Sequence, residues 1–258
     1  MQNLNIGLLQ FNQIWEDKKK NFTKIRQLLH KKKDFDLLLL PEMFHTGFTM
    51  NHETCAEKIQ DSEGIDFLKS LSQEHNCAIY TSLIIKEDEH IFNRGIFIHQ
   101  EGIDHYDKRK CFGLGGETDS FSPGKNEVIV NLKGWRLNLQ ICYDLRFPEL
   151  IRNEIEVPGI AKYDVLLYVA NWPEKRINHW ISLLKARAIE NQCYVIACNR
   201  VGIDGNNIEY NGNSLIVDPN GEVQNATHKK NAEGIIVGKL SPSELSNLRI
   251  KLPFLRDR

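Results

Sequence analysis

The chain has 258 residues, 41% hydrophobic and 26% charged, with a formal net charge of −1. This is ordinary globular composition, which excludes disorder, and the length is near the upper size for one hydrophobic core, so one domain over residues 1–258 is expected. The near-zero balance argues against a nucleic-acid partner, which would require a basic excess.

The chain opens Met1-Gln2-Asn3-Leu4-Asn5-Ile6, without the basic start and long apolar run of a signal peptide. Leu4 to Phe11 reads as a buried strand. Asp17 to His30 reads as an amphipathic helix, with Phe22, Ile25, Leu28 and Leu29 as its buried stripe. The runs Lys18-Lys19-Lys20 and Lys31-Lys32-Lys33 read as its solvated face. Asp36 to Leu40 is a second short strand, ended by Pro41. Its leucine run, Leu37 to Leu40, is far too short to span a bilayer, and no membrane association is expected. Further strands are expected over Cys77–Ile85, Ile91–His99, Val128–Leu132, Arg136–Ile141, Val165–Ala170, Tyr194–Asn199, Ser214–Val217 and Gly234–Lys239. Ile177, Ile181, Leu184 and Ala188 lie at helical spacing, predicting a helix over Asn178–Glu190, and Ser243–Leu248 predicts a short last one. Strands both interleaved with helices and paired as hairpins point to an α/β or α+β sandwich, and periodicity does not choose between them. Six cysteines are scattered without a Cys-x-x-Cys pair, which predicts reduced thiols in the cytoplasm and no zinc knuckle.

Chemistry enters where strands end. The second strand delivers Pro41-Glu42-Met43-Phe44, and the hairpin region after Ile103 reaches Tyr106-Asp107-Lys108. Leu137 to Ile141 delivers Cys142-Tyr143-Asp144, and Val165 to Val169 delivers Ala170-Asn171-Trp172. Carboxyl ends of neighbouring parallel strands open onto one crevice, so a carboxylate, an ammonium and a thiol would converge there. Taken singly, each has an ordinary alternative: a packing cysteine, a Pro-Glu helix start, a solvated lysine. Cys142 has the strongest independent case. Pro148 in Phe147-Pro148-Glu149-Leu150 predicts a helix starting just downstream, and a thiol near a helix N-terminus and a lysine is held more readily as thiolate.

These blocks resemble the signatures of the nitrilase superfamily of carbon–nitrogen hydrolases. They are Pro41 to Phe48, Tyr106-Asp107-Lys108 and Cys142 to Glu149, followed by Ala170-Asn171-Trp172-Pro173, His179-Trp180 and Ala186 to Asn191. They stand in the family's order between Ile6 and about Lys239. Glu42-Met43-Phe44-His45-Thr46-Gly47-Phe48 further resembles the ω-amidase branch, whose members deamidate 2-oxoglutaramate and related 2-oxo acid amides. The resemblance implies a four-layer α-β-β-α sandwich, a homodimer paired through helices, a small-molecule amide substrate and no metal or organic cofactor. It implies Cys142 as nucleophile, Glu42 as general base and acid, Lys108 as the cation beside the tetrahedral intermediate, and Glu117 as a second, orienting glutamate. One block departs from the branch: Lys108-Arg109-Lys110-Cys111-Phe112 stands where relatives read Lys-x-His-Leu-Phe. Two lysines therefore compete, and the spacing from Tyr106 and Phe112 favours Lys108.

With those roles, Glu42 takes the thiol proton as Cys142 attacks the amide carbon, and Lys108 with the Tyr143 backbone N–H binds the oxyanion. Asn171 and Trp172 would line the substrate site. A 2-oxo dicarboxylate monoamide carries a remote carboxylate that needs a cation, and Arg146 and Arg176 are the candidates. The alternatives are a related nitrile or N-carbamoyl hydrolysis, or a non-catalytic binding protein on the same fold. There is no Gly-x-Ser-x-Gly elbow and no His-Glu-x-x-His. Gly113-Leu114-Gly115-Gly116 lacks the third glycine of a dinucleotide loop, Thr118 standing in its place, and reads as a turn near the active-site loop.

Overall fold

The computed structural model describes residues 1–30, 34–157, 159–224 and 231–258. The expected run Lys31-Lys32-Lys33 lies outside them.

In chain order the first half builds β1 (Leu4–Gln10), α1 (Lys18–Leu28), β2 (Leu37–Leu39), the single turn α2 (His52–Cys55) and α3 (Glu63–His75). Then come β3 (Ala78–Glu87), β4 (His90–His99), β5 (Gly102–Asp107) and the short α4 (Glu117–Ser120). The second half builds β6 (Ile129–Leu132), β7 (Trp135–Ile141), a small ribbon β8 (Ile155–Val157) and β9 (Ile160–Ala161), β10 (Val165–Val169), α5 (Ile177–Asn191) and β11 (Tyr194–Cys198). A second ribbon, β12 (Val201–Ile203) and β13 (Glu209–Asn211), precedes β14 (Leu215–Val217), β15 (Gly234–Leu240) and α6 (Pro242–Lys251). One sheet has the order β15-β1-β2-β3-β4-β5, the other β14-β11-β10-β7-β6.

Period-two alternation decides which face each side chain covers. In β2, Leu37 and Leu39 join the core shared by the two sheets, whereas Leu38 packs with the residues under α1 and α3. Those residues include Ile25, Ile65, Leu68 and Leu71. Trp180, Leu184 and Ala188 of α5 cover the second sheet from its other side. Each fully buried Leu or Ile contributes about 1.5–3 kcal/mol relative to exposure. The result is helices, sheet, sheet and helix, the four-layer α-β-β-α sandwich expected.

α3 is absent from the elements expected above, although its signals are local. Ser62 accepts a hydrogen bond from the Ile65 N–H at 3.0 Å, and Asn76 ends the helix at φ +50°. α1 keeps Lys19 and Lys20 solvated as expected, but Lys18 turns inward onto Glu57 at 2.7 Å. No described helix is long and apolar enough to cross a membrane.

Strand direction creates the site. β1, β2 and β3 are parallel, and β5 returns in the direction of β3 after two antiparallel pairings. β7, β10 and β11 are parallel in the other sheet. The residues following β2, β5, β7 and β10 therefore leave strand ends that face one crevice.

Candidate active site

Glu42 follows β2 in a turn rather than a helix, with Met43 at φ +46°. Gln13 Nε2 donates to the carbonyls of Glu42 and Met43, both at 2.9 Å, and the Met43 N–H donates to Ser82 Oγ at 3.0 Å. The fully buried carboxylate accepts from Lys108 Nζ at 2.9 Å and Asn93 Nδ2 at 2.8 Å on Oε1. On Oε2 it accepts from the Asn171 N–H at 2.9 Å. A carboxylate offers about four acceptor sites, so one direction on Oε2 remains open.

Lys108 stands one residue past β5, its N–H donating to the Asn93 carbonyl at 3.0 Å. Its buried ammonium contacts Glu42 Oε1 and both oxygens of Glu117, at 3.0 and 2.8 Å. Burial works against that charge, but Glu117 and Glu42 outweigh it and hold the pKa well above the ordinary lysine value. Lys110 is elsewhere, over the Phe147 ring at 4.8 Å, while its N–H donates to Asp144. Cys111 is half-buried, donating to the Phe121 carbonyl at 3.7 Å. The glycine run does turn the chain: residues 113–115 form a 3-10 turn, and Gly116 at φ +78° leads into α4, whose first residue is Glu117.

Cys142 sits at φ +43°, a left-handed conformation that a side chain adopts only at some cost in strain. Asp144 holds this elbow. It accepts from the Ile141 N–H at 3.0 Å and Tyr106 Oη at 2.8 Å on one oxygen, and from the Lys110 N–H at 2.9 Å on the other. Burial pushes the Asp144 carboxyl up to about 6, with Lys108 opposing.

Two expectations about Cys142 are corrected. The predicted downstream helix is a pair of short 3-10 turns, Cys142–Arg146 and Pro148–Ile151, the second with Pro148 in its first turn. The surroundings do not favour the thiolate as expected. Burial and the neighbouring Glu42 carboxylate raise its pKa well above the ordinary cysteine value, and Lys108 offsets only part of this. Low local dielectric disfavours a bare anion more strongly than one nearby cation, already paired with two glutamates, favours it.

The register pairs Ile141 with Val169, so Cys142 and Ala170 leave adjacent strands side by side, with Asn171 next. The Cys142 thiol points toward the Asn171 carbonyl at 3.9 Å. These residues open into a cavity of about 740 Å³, lined among others by Lys108, Cys142, Tyr143, Trp172, Arg146 and Arg176. All expected site residues lie on it except the buried Glu42 and Glu117, which reach it through Lys108.

The charges on its walls are not equivalent. Asp204 accepts from the N–H groups of Asn206 and Ile208 and from Tyr210 Oη, and Glu16 accepts from Thr49 Oγ1 and Asn51 Nδ2. Arg146 lies 4.8 Å over the Trp172 ring with Nη2 3.3 Å from His179 Nδ1, and Arg176 lies 5.4 Å over the Phe112 ring. Among the described residues neither guanidinium is paired with a carboxylate. The wall carboxylates are engaged by the protein's own donors; the guanidiniums remain available for an anion.

Sequence reasoning missed Asn93 and the anchoring role of Asp144. The signal for Asn93 was a polar pair, Asn93-Arg94, inside an otherwise apolar strand stretch; Asp144 was inside the Cys142 block.

The sequence matches the carbon-nitrogen hydrolase family over residues 5–250. It is 39% identical to omega-amidase YafV of Yersinia enterocolitica, over 100% of this chain and 97% of that one. It is 33% identical to 2-oxoglutaramate amidase of Bacillus subtilis, over 98% and 96%. XC1258 of Xanthomonas campestris, a CN-hydrolase superfamily protein whose crystal structure carries an arsenic adduct in the active site, superposes with a TM-score of 0.95 at 35% identity, covering 100% and 98% of the two chains. On the family match and these full-length likenesses, this chain belongs to the carbon–nitrogen hydrolase family and is an enzyme of it.

Proposed function

We propose that the protein hydrolyses the terminal amide of a 2-oxo dicarboxylic acid monoamide, such as 2-oxoglutaramate, to the acid and ammonia through a thioester on Cys142. The observation that carries this reading is the cavity that opens on Cys142 with two guanidiniums lacking carboxylate partners among the described residues. The likeness to ω-amidase YafV and 2-oxoglutaramate amidase supports the same substrate class.

The chemistry starts from a neutral thiol. Glu42 takes its proton on Oε2, the oxygen with an open acceptor direction, as sulfur attacks the amide carbon. The developing oxyanion is met by the Tyr143 N–H, in the first turn of a 3-10 helix where no intrahelical carbonyl is available to it. Lys108 supplies positive charge; all three of its N–H groups face carboxylate oxygens, so a direct bond to the oxyanion requires release of one Glu117 contact. Collapse breaks the C–N bond, Glu42 returns the proton to nitrogen, and ammonia leaves. Glu42 then takes a proton from water, hydroxide attacks the thioester, the C–S bond breaks, and the thiol is reprotonated. Glu117 orients Lys108, Asn171 and Trp172 wall the substrate, and Arg146 or Arg176 grips the remote carboxylate.

Ammonia release from 2-oxo acid ω-amides, neutral amides of similar length and nitriles tests the substrate. The 2-oxo acid amides should have the highest kcat/KM; preference for the neutral amide overturns the assignment, and preference for a nitrile overturns the reaction class. We further read the enzyme as one domain acting as a cytoplasmic homodimer. Support comes from six cysteines that are all free thiols, and from exposed Ile250, Leu252 and Phe254 at the C-terminal end. Light scattering giving a monomer mass at micromolar concentration would remove the dimer.

A further inference from the structure

The two carboxylates beside Lys108 share a second donor. Asn93, on β4 and 1% exposed, directs its one amide nitrogen at Glu42 Oε1, 2.8 Å, and at Glu117 Oε1, 2.9 Å. Its two N–H groups thus bridge the glutamates on the same two oxygens, Glu42 Oε1 and Glu117 Oε1, that Lys108 Nζ also contacts. The orientation follows from the chemistry, because a flipped amide would aim its oxygen at two carboxylates. Asn93 Oδ1 has no partner among the described residues, an arrangement that costs about 1–3 kcal/mol in a buried site. The same residue's carbonyl receives the Lys108 N–H, so one position sets both the ammonium's backbone and its counter-ions.

We propose that Asn93 is a positioning residue for the hydrolysis: it occupies Glu42 Oε1 so that Oε2 is the oxygen left to take the thiol proton, and it keeps Glu42 and Glu117 apart as two separate carboxylates. Without it, Lys108 alone would bridge Glu42 Oε1 and Glu117 Oε1, and Glu42 Oε1 would lose one of its two donors. The ionisable groups facing Asn93 are Glu42, Glu117 and Lys108, with the Cys142 thiol beside Glu42. Arg94, next on the strand, points to the opposite face and pairs with Asp107 and Glu87. This rests on the reading of Glu42 as the base.

The test uses Asn93→Asp, close in volume to asparagine, and Asn93→Leu, which keeps the branched shape but is bulkier and carries no donor, with Glu42→Gln in parallel. Asn93→Asp replaces both donors with acceptors, so kcat at pH 7.5 should fall by about 100-fold or more, beyond the usual loss for a supporting hydrogen bond, while KM moves by less than about threefold. Protonation of the new carboxyl restores one donor, so the ratio of variant to wild-type kcat should rise as pH falls. Asn93→Leu should lose about 10–100-fold in kcat with no such recovery. A merely structural role would not produce that pH-dependent ratio. Either variant suffices if the other fails to fold: kcat within about threefold of wild type, a flat ratio for Asn93→Asp, or losses that only track the folded fraction overturn the proposal. If Glu42→Gln itself stays active, the reading of Glu42 falls instead.

Discussion

Two buried carboxylates, Glu42 and Glu57, lie fifteen residues apart in this chain, each against a lysine, and Glu42 reaches the cavity through Lys108. Glu57 accepts from Lys18 Nζ at 2.7 Å, His45 Nε2 at 3.1 Å, the Gly64 N–H at 3.0 Å and Ser62 Oγ. Four donors fill about four acceptor sites. Glu42 has three side-chain acceptor contacts, and its open direction lies in reach of a thiol. Glu57 is enclosed by α1, α3 and the stacked rings of Phe22, Phe44 and His45, and it does not line the cavity that opens on Cys142. A buried ion pair is therefore no mark of function. A fully engaged carboxylate anchors structure, whereas one with a vacant acceptor site beside a nucleophile is able to move a proton.

The largest expected effect is at the nucleophile. Cys142→Ala should abolish turnover, and mass spectrometry of the quenched wild-type reaction should show an acyl adduct on Cys142. Near wild-type activity in that variant would end the thiol mechanism.

Next come the groups around it. Glu42→Gln should fold and lose at least ~10²–10⁴ in rate, the usual scale of general acid–base catalysis. Lys108→Ala should be comparably damaging, because it leaves two buried glutamates without their cation, whereas Lys110→Ala should be mild. The reverse ranking of the lysines would break the distinction between the two positions.

The cavity wall should give a smaller, substrate-dependent effect. Arg146→Leu or Arg176→Leu should reduce kcat/KM for 2-oxoglutaramate by about 10–100-fold, the scale of one lost charge-assisted contact, and leave a neutral amide of similar length nearly unchanged. Equal losses on both substrates exclude a carboxylate grip at that arginine.

The smallest effect on rate is expected at the anchoring carboxylate. Burial alone would raise the Glu57 pKa, but His45, Lys18 and Ser62 outweigh it and hold it at about 2. An unfolded glutamate titrates near ~4.3, so the depressed folded value stabilises the native state by about 3 kcal/mol above that pH. The contribution is lost as pH falls from about 4 toward 2. Glu57→Gln should therefore lower the unfolding free energy by up to about 3 kcal/mol at pH 7, with the gap to wild type closing toward pH 2, and change kcat by less than about threefold. Denaturant melts at several pH values check it; a gap that does not depend on pH would remove Glu57 as an anchor.

Much was legible from residues alone. The alternation in Leu37 to Leu39, the apolar runs ending at Cys142 and Asn171, and the spacing of Ile177, Leu184 and Ala188 are local patterns, and local geometry decides which face each side chain covers. The strand-end positions of Glu42, Lys108 and Cys142 followed from the same patterns. The choice of Lys108 over Lys110 followed from spacing within one block.

Tertiary structure decided the protonation and pairing of those groups. Asn93 donates to Glu42 across 51 residues and Asn171 across 129, partners that no window of sequence contains. Burial and Glu42 together outweigh Lys108 and push the Cys142 thiol pKa up, a balance of desolvation and charge brought together from separate strand ends. Arg146 is left for a ligand because the fold sets it on the Trp172 ring away from any carboxylate partner among the described residues, and Lys18 turns inward because Glu57 lies under α1. Sequence by itself determined most strands of the two main sheets, their alternation and the chemical groups at their ends, since these depend on neighbours a few residues away, whereas the ribbons β8–β9 and β12–β13 were not among the expected elements. Which acceptor stays open, which charge stays unpaired and which proton stays on sulfur depend on groups brought together only by the packed sheets, where low dielectric makes each hydrogen bond decisive.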